Sequence, residues 1–312
     1  MMNRISLVSG FSMFLLAVTA VAEDVTRTFD VAPGGTLDID TDVGSIEVTP
    51  TDGSQVIIEV ETEGVDADRL ELSFDQRDEG VRVKARLKKA PFSDQHKYKL
   101  KAKFRATVPT TYNVRADTSG GNIEVGDVDG RVRADTSGGS ILVGKVTGPV
   151  RADTAGGSIE VEASAGDVDA DTSGGSIRLG AMQGRVRADT SGGSIRIDSS
   201  AGPVRAGTAG GSITIRGARE AVDASTAGGS VTVTFVGQPS GDSDLSTSGG
   251  NVTAILADGL GFDIRARSGT RVKSKFQLDN AKVDPDRLSG SLNGGGPRLE
   301  MSSSGRVSIK KL

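Results

Sequence analysis

A period of 18 residues runs through the middle of the chain and restricts it to folds made by repetition. The segment Val114-Arg-Ala-Asp-Thr-Ser-Gly-Gly-Asn-Ile-Glu-Val125 returns with its threonine at Thr118, Thr136, Thr154, Thr172, Thr190, Thr208 and Thr226, each 18 residues after the last. An eighth copy follows at Thr247, after a three-residue insertion. Within one copy Val132, Ala134 and Thr136 alternate with Arg133 and Asp135, Ser137-Gly138-Gly139 breaks the run, and Ile141 and Val143 flank Leu142. Alternation with period two marks a strand with one buried face, so each copy reads as strand, tight corner, strand. Gly144 to Pro149 turns the chain again and offers Val146 as a further inward residue. One period is one coil.

A lone coil cannot be stable, because four or five aliphatic side chains bury too little surface to offset the ordering of a whole period. Coils stacked about 4.8 Å apart satisfy each strand's N–H and C=O groups from above and below and set Ile on Ile and Val on Val. The expected fold is therefore all-β, a β-solenoid (β-helix) of 18-residue coils. Glycine at the corner answers either a positive φ or a close approach between stacked backbones.

The stack extends beyond the regular copies. Leu37-Asp-Ile-Asp-Thr41-Asp-Val-Gly44-Ser-Ile46-Glu-Val48 matches the repeat position for position, and Phe262-Asp-Ile264 and Leu299 to Ile309 match it with small length changes. Residues 23–50 read as an N-terminal coil, 109–256 as the regular array, and 257–312 as degenerate coils and a cap. Residues 51–108 differ: the runs Val56–Thr62, Leu70–Gln76, Val81–Lys88 and Lys97–Val108 read as an antiparallel β-meander inserted into a single solenoid domain. The aromatics Phe74, Tyr98 and Phe104 occur there, whereas residues 113–234 hold none.

Arg4, the apolar run Ile5 to Val21 and Ala20-Val21-Ala22 ahead of Glu23 form the pattern of a secretory signal, residues 1–22. The competing reading is an uncleaved anchor, since the run approaches the length of a spanning helix. No later stretch is apolar enough to span a bilayer. With no cysteine the chain has no disulfide, no thiolate metal site and no lipoprotein anchor. Its 43 glycines, few aromatics and lack of tryptophan argue against an ordinary globular core. A net charge of −4 argues against a nucleic-acid partner.

Outward positions of the coils form columns. Arg115, Arg133, Arg151, Arg187 and Arg205 make one, interrupted by Asp169 and Asp223, and Asp117, Asp135, Asp153, Asp171 and Asp189 stand two residues along. The structural reading is mutual neutralisation of the two columns. The functional reading is a ladder that contacts a repeating polymer such as a surface polysaccharide, or an Asp column that holds divalent cations. Calcium-binding β-rolls place Asp after the glycines of a nine-residue unit, where this chain has Ser-Ile. Ice binding by the Thr column conflicts with its parity, which turns Thr inward or to the corner. Ser-Gly-Gly between short strands, with no helix after it, is no dinucleotide fingerprint.

A second candidate is the basic strand Lys97, Lys99, Lys101, Lys103 and Arg105, alternating with Tyr98, Leu100, Ala102 and Phe104. Residues 84–105 carry nine Lys or Arg against Asp94 alone. Such a strand either protects a sheet edge, balanced by Glu59, Glu61, Glu71 and Asp75 on its neighbours, or docks an anionic ligand such as a lipid headgroup or an acidic polymer. Catalysis has little to work with: His96 is the single histidine, no nucleophile-and-base pair is visible, and no cofactor or metal site is implied.

Gly44-Ser-Ile-Glu-Val48, Ala106-Thr-Val-Pro109 before the array, the Thr-Ser-Gly-Gly coils and the closing Ser303-Ser-Gly-Arg-Val-Ser-Ile309 together resemble a family of exported bacterial proteins of adhesin type. That family is built on a domain of unknown function with a β-solenoid fold. The resemblance covers most of the chain and implies a surface or envelope role, with no catalytic residues to carry over. The expectation is a non-enzymatic, adhesin-like or scaffold module of the periplasm or cell surface. Its partner would be an envelope component: a polysaccharide, a lipid headgroup or a protein. The alternative is a carbohydrate-active β-helical enzyme, a polysaccharide lyase or hydrolase, which a localised acidic cleft beside one coil would favour.

Export predicts a mature N-terminus at Glu23. Mass spectrometry of the protein from the cell envelope checks this, and an intact start at Met1 or Met2 would support the anchor instead.

Overall fold

The computed structural model describes residues 24–77, 79–88 and 99–312. The expected signal segment, residues 1–22, lies outside the described residues, as do Lys89, Asp94, His96, Lys97 and Tyr98. The chain forms two long sheets, one of 14 strands and one of 15 among the described residues. Each regular coil gives one strand to each sheet. Val132–Thr136 pairs in parallel with Asn113–Thr118 before it and Val150–Thr154 after it, and Ile141–Val146 pairs likewise with Ile123–Val125 and Ile159–Ser164. The register is in step with the period, so Val132 stands over Val150, Ala134 over Ala152 and Ile141 over Ile159. Ile123, Ile141, Ile159, Ile177, Ile195 and Ile213 form one buried column, continued by Ile46 at one end and Val231 at the other. The 18-residue period is thus one turn of a β-solenoid.

The corner shows why the sequence spends two glycines there. A Cβ on the second glycine of each pair would lie about 2 Å from the carbonyl oxygen one coil below: 2.0 Å for Gly139 on Gly121, 1.9 Å for Gly157 on Gly139 and 1.9 Å for Gly175 on Gly157. None of these glycines has a positive φ. Close approach, not backbone conformation, is what excludes a side chain. The carbonyl brought so near is not left unsatisfied. Thr136 Oγ1 donates to Gly121 O at 2.9 Å, Thr154 Oγ1 to Gly139 O at 2.8 Å and Thr172 Oγ1 to Gly157 O at 2.8 Å. The same hydroxyls accept from the second glycine's N–H, as Gly157 N does to Thr154 Oγ1 at 3.3 Å. The serine that follows makes a third link, with Ser158 N donating to Ser140 Oγ and Ser176 N to Ser158 Oγ. Threonine and serine of the repeat are therefore coil-to-coil staples.

Both ends of the stack depart from chain order. At the N-terminal end β1 (Val25–Asp30), β2 (Thr36–Thr41), β3 (Ser45–Thr51), β4 (Gln55–Glu63), β5 (Leu70–Arg77), β6 (Gly80–Leu87) and β7 (Lys101–Pro109) divide between the two sheets. β2 and β3 make the coil that stacks on the regular array. β6 and β7 lie parallel outside them as a further turn, and antiparallel β5, β4 and β1 close the stack. At the other end the last strands of the chain, Arg298–Ser303 and Val307–Lys311, stack on the eighth copy. The earlier strands Phe262–Ser268 and Val272–Ser274 lie outside them. Antiparallel Arg287–Leu292 and Asp279–Val283 finish that end. Phe235 and Phe262 meet edge to face, 5.5 Å between centroids, where the repeat gives way to the cap. Antiparallel strands at a parallel stack's ends break the pattern that further coils would extend.

These contacts make the two glycines of one corner unequal. Gly175→Ala, with its Cβ 1.9 Å from Gly157 O, is expected to destabilise by on the order of 3 kcal/mol or more. Gly174→Ala, with 3.2 Å to its nearest neighbour, should cost no more than about 1 kcal/mol. Urea denaturation of the two variants beside the wild type checks the difference.

Candidate functional site

The column residues stand on the outer face of the 15-stranded sheet, placed there by strict parallel register: Arg133 beside Arg115 and Arg151, Asp135 beside Asp117 and Asp153. Within a coil the two columns pair. Arg133 Nε lies 2.7 Å from Asp135, Arg151 Nε 2.9 Å from Asp153, and Arg187 Nη2 2.9 Å from Asp189. Where the arginine column is interrupted, Asp169 sits between Arg151 and Arg187, at 4.0 and 3.7 Å. Arg115 is drawn instead towards Asp38 of β2, at 3.8 Å. Arg205 completes its column beside Gly207, where no carboxylate follows. Exposed pairs of this kind contribute little to stability, about 0–1 kcal/mol each.

Pairing leaves two aspartates in predominantly acidic surroundings. Burial, then Asp135 and Asp40, raises the Asp117 carboxyl above its ordinary value. Burial, then Asp153, Asp189 and Asp169, does the same for Asp171, whose coil has Asp169 where others carry arginine.

The Asp column forms one wall of a furrow along the solenoid axis, at the corner where each coil passes from one sheet to the other. Asp117, Asp135 and Asp153 line a stretch of about 310 Å³. Asp171 and Asp189, then Gly207, Ser225, Ser246 and Ser302, line a stretch of about 570 Å³. Ser173 borders both. The exposed residue after each threonine, Ser119, Ser137 and Ser173 among them, forms the opposite wall, and the threonines themselves are occupied as staples. The furrow spans nine stacked strands, roughly 40 Å. It is acidic over its first five coils and lined by glycine, serine and alanine over the rest, the threonines aside. The sequence displayed the columns, but the furrow depends on the corner's depth and was not legible.

The basic strand is placed quite differently from an edge. β7 lies inside the 14-stranded sheet, between β3 and β4. Lys103 Nζ is 2.7 Å from Glu47 of β3, and Arg105 bonds Glu61 of β4 with Glu47 3.9 Å away. Glu63 stands opposite Lys101 in the antiparallel register, and Lys99 precedes the strand, its N–H bonded to Asp66. The hydrogen bond from Lys103, with its charge and that of Arg105, holds the Glu47 carboxyl below its ordinary value against the opposing effect of burial. The neighbouring cations are matched too: Arg82 to Asp38 at 2.6 Å, Arg86 to Asp40, and Lys88 to Glu71 at 3.3 Å. A run that is wholly basic in sequence becomes a mixed surface, because the acids come from strands distant in the chain.

Among the described residues no group of three His, Asp or Glu is arranged to hold a metal ion. No helix among them is long and apolar enough to cross a membrane. One polar residue that sequence reasoning passed over is Tyr112, fully buried, whose hydroxyl has no hydrogen-bond partner among the described residues. Its signal was scarcity, as one of two tyrosines, placed directly before the regular coils.

A carboxyl whose pKa rises on folding weakens the folded state as pH climbs past the unfolded value, and the penalty is complete above the folded value. Asp171→Asn is therefore expected to be at least as stable as the wild type near pH 7. The difference should vanish once pH falls below the ordinary value of 3.8. Urea midpoints of both proteins at the two pH values measure it.

Three crystal structures are similar over nearly the whole chain. A "putative adhesin" from Bacteroides fragilis is 15% identical, with 93% of this chain and 97% of that one covered and a TM-score of 0.35. Another from Parabacteroides distasonis is 13% identical, with 92% and 97% covered and a TM-score of 0.40. A "putative cell adhesion protein" from Clostridium sporogenes is 9% identical, with 93% and 100% covered and a TM-score of 0.20. Likenesses this distant say nothing of what this chain binds. No curated protein matches it. The Toastrack model of a domain of unknown function, DUF4097, matches residues 35–309, the whole stack from β2 to the last strand but one residue pair, and the chain belongs to that family.

Proposed function

We propose that the protein is an exported, non-enzymatic scaffold of the bacterial cell envelope that binds an extended polymer along its axial furrow. The observation that carries this reading is the continuity of the furrow: the same wall positions recur coil after coil, with Ser173 joining its two stretches. A catalytic site needs one coil that differs from its neighbours, with a base or acid set apart in a local cleft. The departures along the columns, Asp169, Gly207 and Asp223, build no such cleft, which favours the scaffold over a polysaccharide lyase or hydrolase. A regular surface instead suits a regular ligand, since within each half of the furrow an added repeat of a polymer meets an equivalent position one coil on and weak contacts multiply.

Hydroxyl and carboxylate walls accept and donate hydrogen bonds to a polyhydroxylated chain, and the acidic half disfavours a polyanion. An envelope polysaccharide that is neutral or carries amino groups fits both halves. The arginine column stands outside the furrow, and Arg133, Arg151 and Arg187 in it are paired with column aspartates. The N-terminal signal pattern supports export to the periplasm or cell surface.

Ser173 and Ser191 are exposed on the furrow wall, so tryptophan there would obstruct it without touching the core. Wild-type protein is expected to be retained on immobilised envelope polysaccharide of its host and released by the soluble polymer, and the Ser173→Trp, Ser191→Trp double variant is expected to pass through. Equal retention of both proteins, or retention of neither, would refute the furrow as the binding site.

A further inference from the structure

The two sheets finish unequally at the C-terminal end of the stack. Phe262–Ser268 and Val272–Ser274 are the two strands of the outermost parallel coil. Beyond it the 15-stranded sheet continues with antiparallel Arg287–Leu292 and Asp279–Val283, whereas the 14-stranded sheet stops at Val272–Ser274 among the described residues. One sheet therefore runs two strands past the other, about 10 Å at the usual strand spacing. Val283 shows the consequence. It pairs with Leu288 and so shares the face that Leu288 turns towards the core, yet it is 72% exposed while Leu288 is 7% exposed.

A groove of about 450 Å³ occupies the step, walled on its apolar side by Val272, Phe276, Leu278, Ala281, Val283 and Leu288. It shares no residue with the axial furrow. Along it runs the edge of Val272–Ser274. Arg271 O accepts from Val307 N and Lys275 N donates to Ile309 O, so residues 271, 273 and 275 direct their backbone groups at the neighbouring strand, and Val272 and Ser274 direct theirs away from it. Pro285 O takes the Val272 N–H at 3.1 Å, which closes one end of the edge. The Val272 carbonyl and both backbone groups of Ser274 have no partner among the described residues. The outer face beside this edge is basic. Lys273 stands beside Ser308, and Lys275 and Lys310 follow the Ser274–Ile309 pair. All three lysines are exposed, with no ion-pair partner among the described residues. Asp284, at the groove wall, and Asp286 flank Pro285 at the closed end, where Asp286 is 3.8 Å from Arg287. Asp279 and Lys282 offset each other on the outermost strand. Residues 257–312 together carry eleven Lys and Arg against six Asp and Glu, in a chain of net charge −4.

We propose that this step takes up an extended segment of a partner polypeptide, added as a strand to Val272–Ser274, with apolar side chains turned into the groove and acidic ones turned out beside Lys273 and Lys275. A strand there meets the edge groups, covers Val283 and completes the shorter sheet. The acids follow from how the outer surface is built elsewhere. There, outward cations are matched from the neighbouring strand: Lys103 by Glu47, Arg105 by Glu61 and Lys145 by Glu162. Lys273 and Lys275 lie on the last strand of their sheet, where no described strand supplies the match. The site stands whether or not the furrow binds a polymer.

The test is fluorescence anisotropy of a labelled peptide, Glu-Val-Glu-Ile-Glu-Val-Glu, titrated with the mature protein. Beside it run the same peptide with lysine for glutamate, and two forms N-methylated on alternate amides in opposite phase. The acidic peptide is expected to bind at least ten-fold more tightly than the lysine form, and more weakly as salt is raised. One methylated form should bind and the other should not, since a strand bonds to an edge through every second residue. Val283→Asp should abolish binding, and the Lys273→Glu, Lys275→Glu double variant should weaken it at least ten-fold. Both should keep the melting temperature of the wild type, because all three residues are exposed. No binding of the acidic peptide, equal binding of the lysine form, equal binding of the two methylated forms, or a Val283→Asp protein that binds as the wild type does would overturn the proposal. Self-association of the protein alone in sedimentation, abolished by Val283→Asp, would overturn it too, by showing that a second copy fills the step.

Discussion

The whole stack depends on one carbonyl oxygen per coil, that of the second corner glycine. Successive coils come so close there that the residue above can carry no side chain, and the oxygen is taken out of water by that approach. A buried acceptor without a partner would cost enough at every coil to defeat the stack. The threonine at the end of each coil's first strand supplies the partner, and its hydroxyl in turn takes an N–H of its own corner. Glycine and threonine are thus two halves of one device, which explains why they keep their spacing from Thr118 to Thr247. The serine directly after the second glycine donates its backbone N–H to the hydroxyl of the serine one coil before, which adds a further bond between coils at the corner.

A fold held by identical corners has consequences for what it can bind. Register in step with the period sets every outward side chain in line, and a property placed at one position becomes a stripe along the molecule. The furrow is such a stripe. One wall changes from aspartate to glycine and serine after Asp189, and the other carries serine or alanine, while the furrow continues. By contrast the ends are singular: antiparallel strands, the larger aromatics and the buried Tyr112 are gathered where the repetition stops.

The charged strand near the N-terminus illustrates how far local sequence can mislead about electrostatics. Lys101, Lys103 and Arg105 share one face of β7, as their alternation implies. Yet Glu47 comes from a strand more than fifty residues earlier and Glu61 from another about forty residues earlier, so the potential of the surface belongs to three strands together. The edge role was equally invisible, since whether a strand is outermost depends on which segments return to cover it, and β4 and β1 do so here.

The sequence by itself determined the coil, its length, its inward residues and the columns on its outer face. Those follow from period and parity, which a stacked strand must obey because its hydrogen bonds allow one register only. Near-identical copies also fixed the neighbour of every residue in the array. Only the tertiary structure decided matters that period cannot encode. It set the order in which the terminal coils stack, the reason for glycine at the corner, the furrow beside it, and the surroundings of Tyr112. The stacking order and the surroundings of Tyr112 arise from contacts between unlike segments far apart in the chain, where no repeat dictates the pairing, whereas the corner glycine and the furrow depend on how closely successive coils approach, a distance that period does not encode.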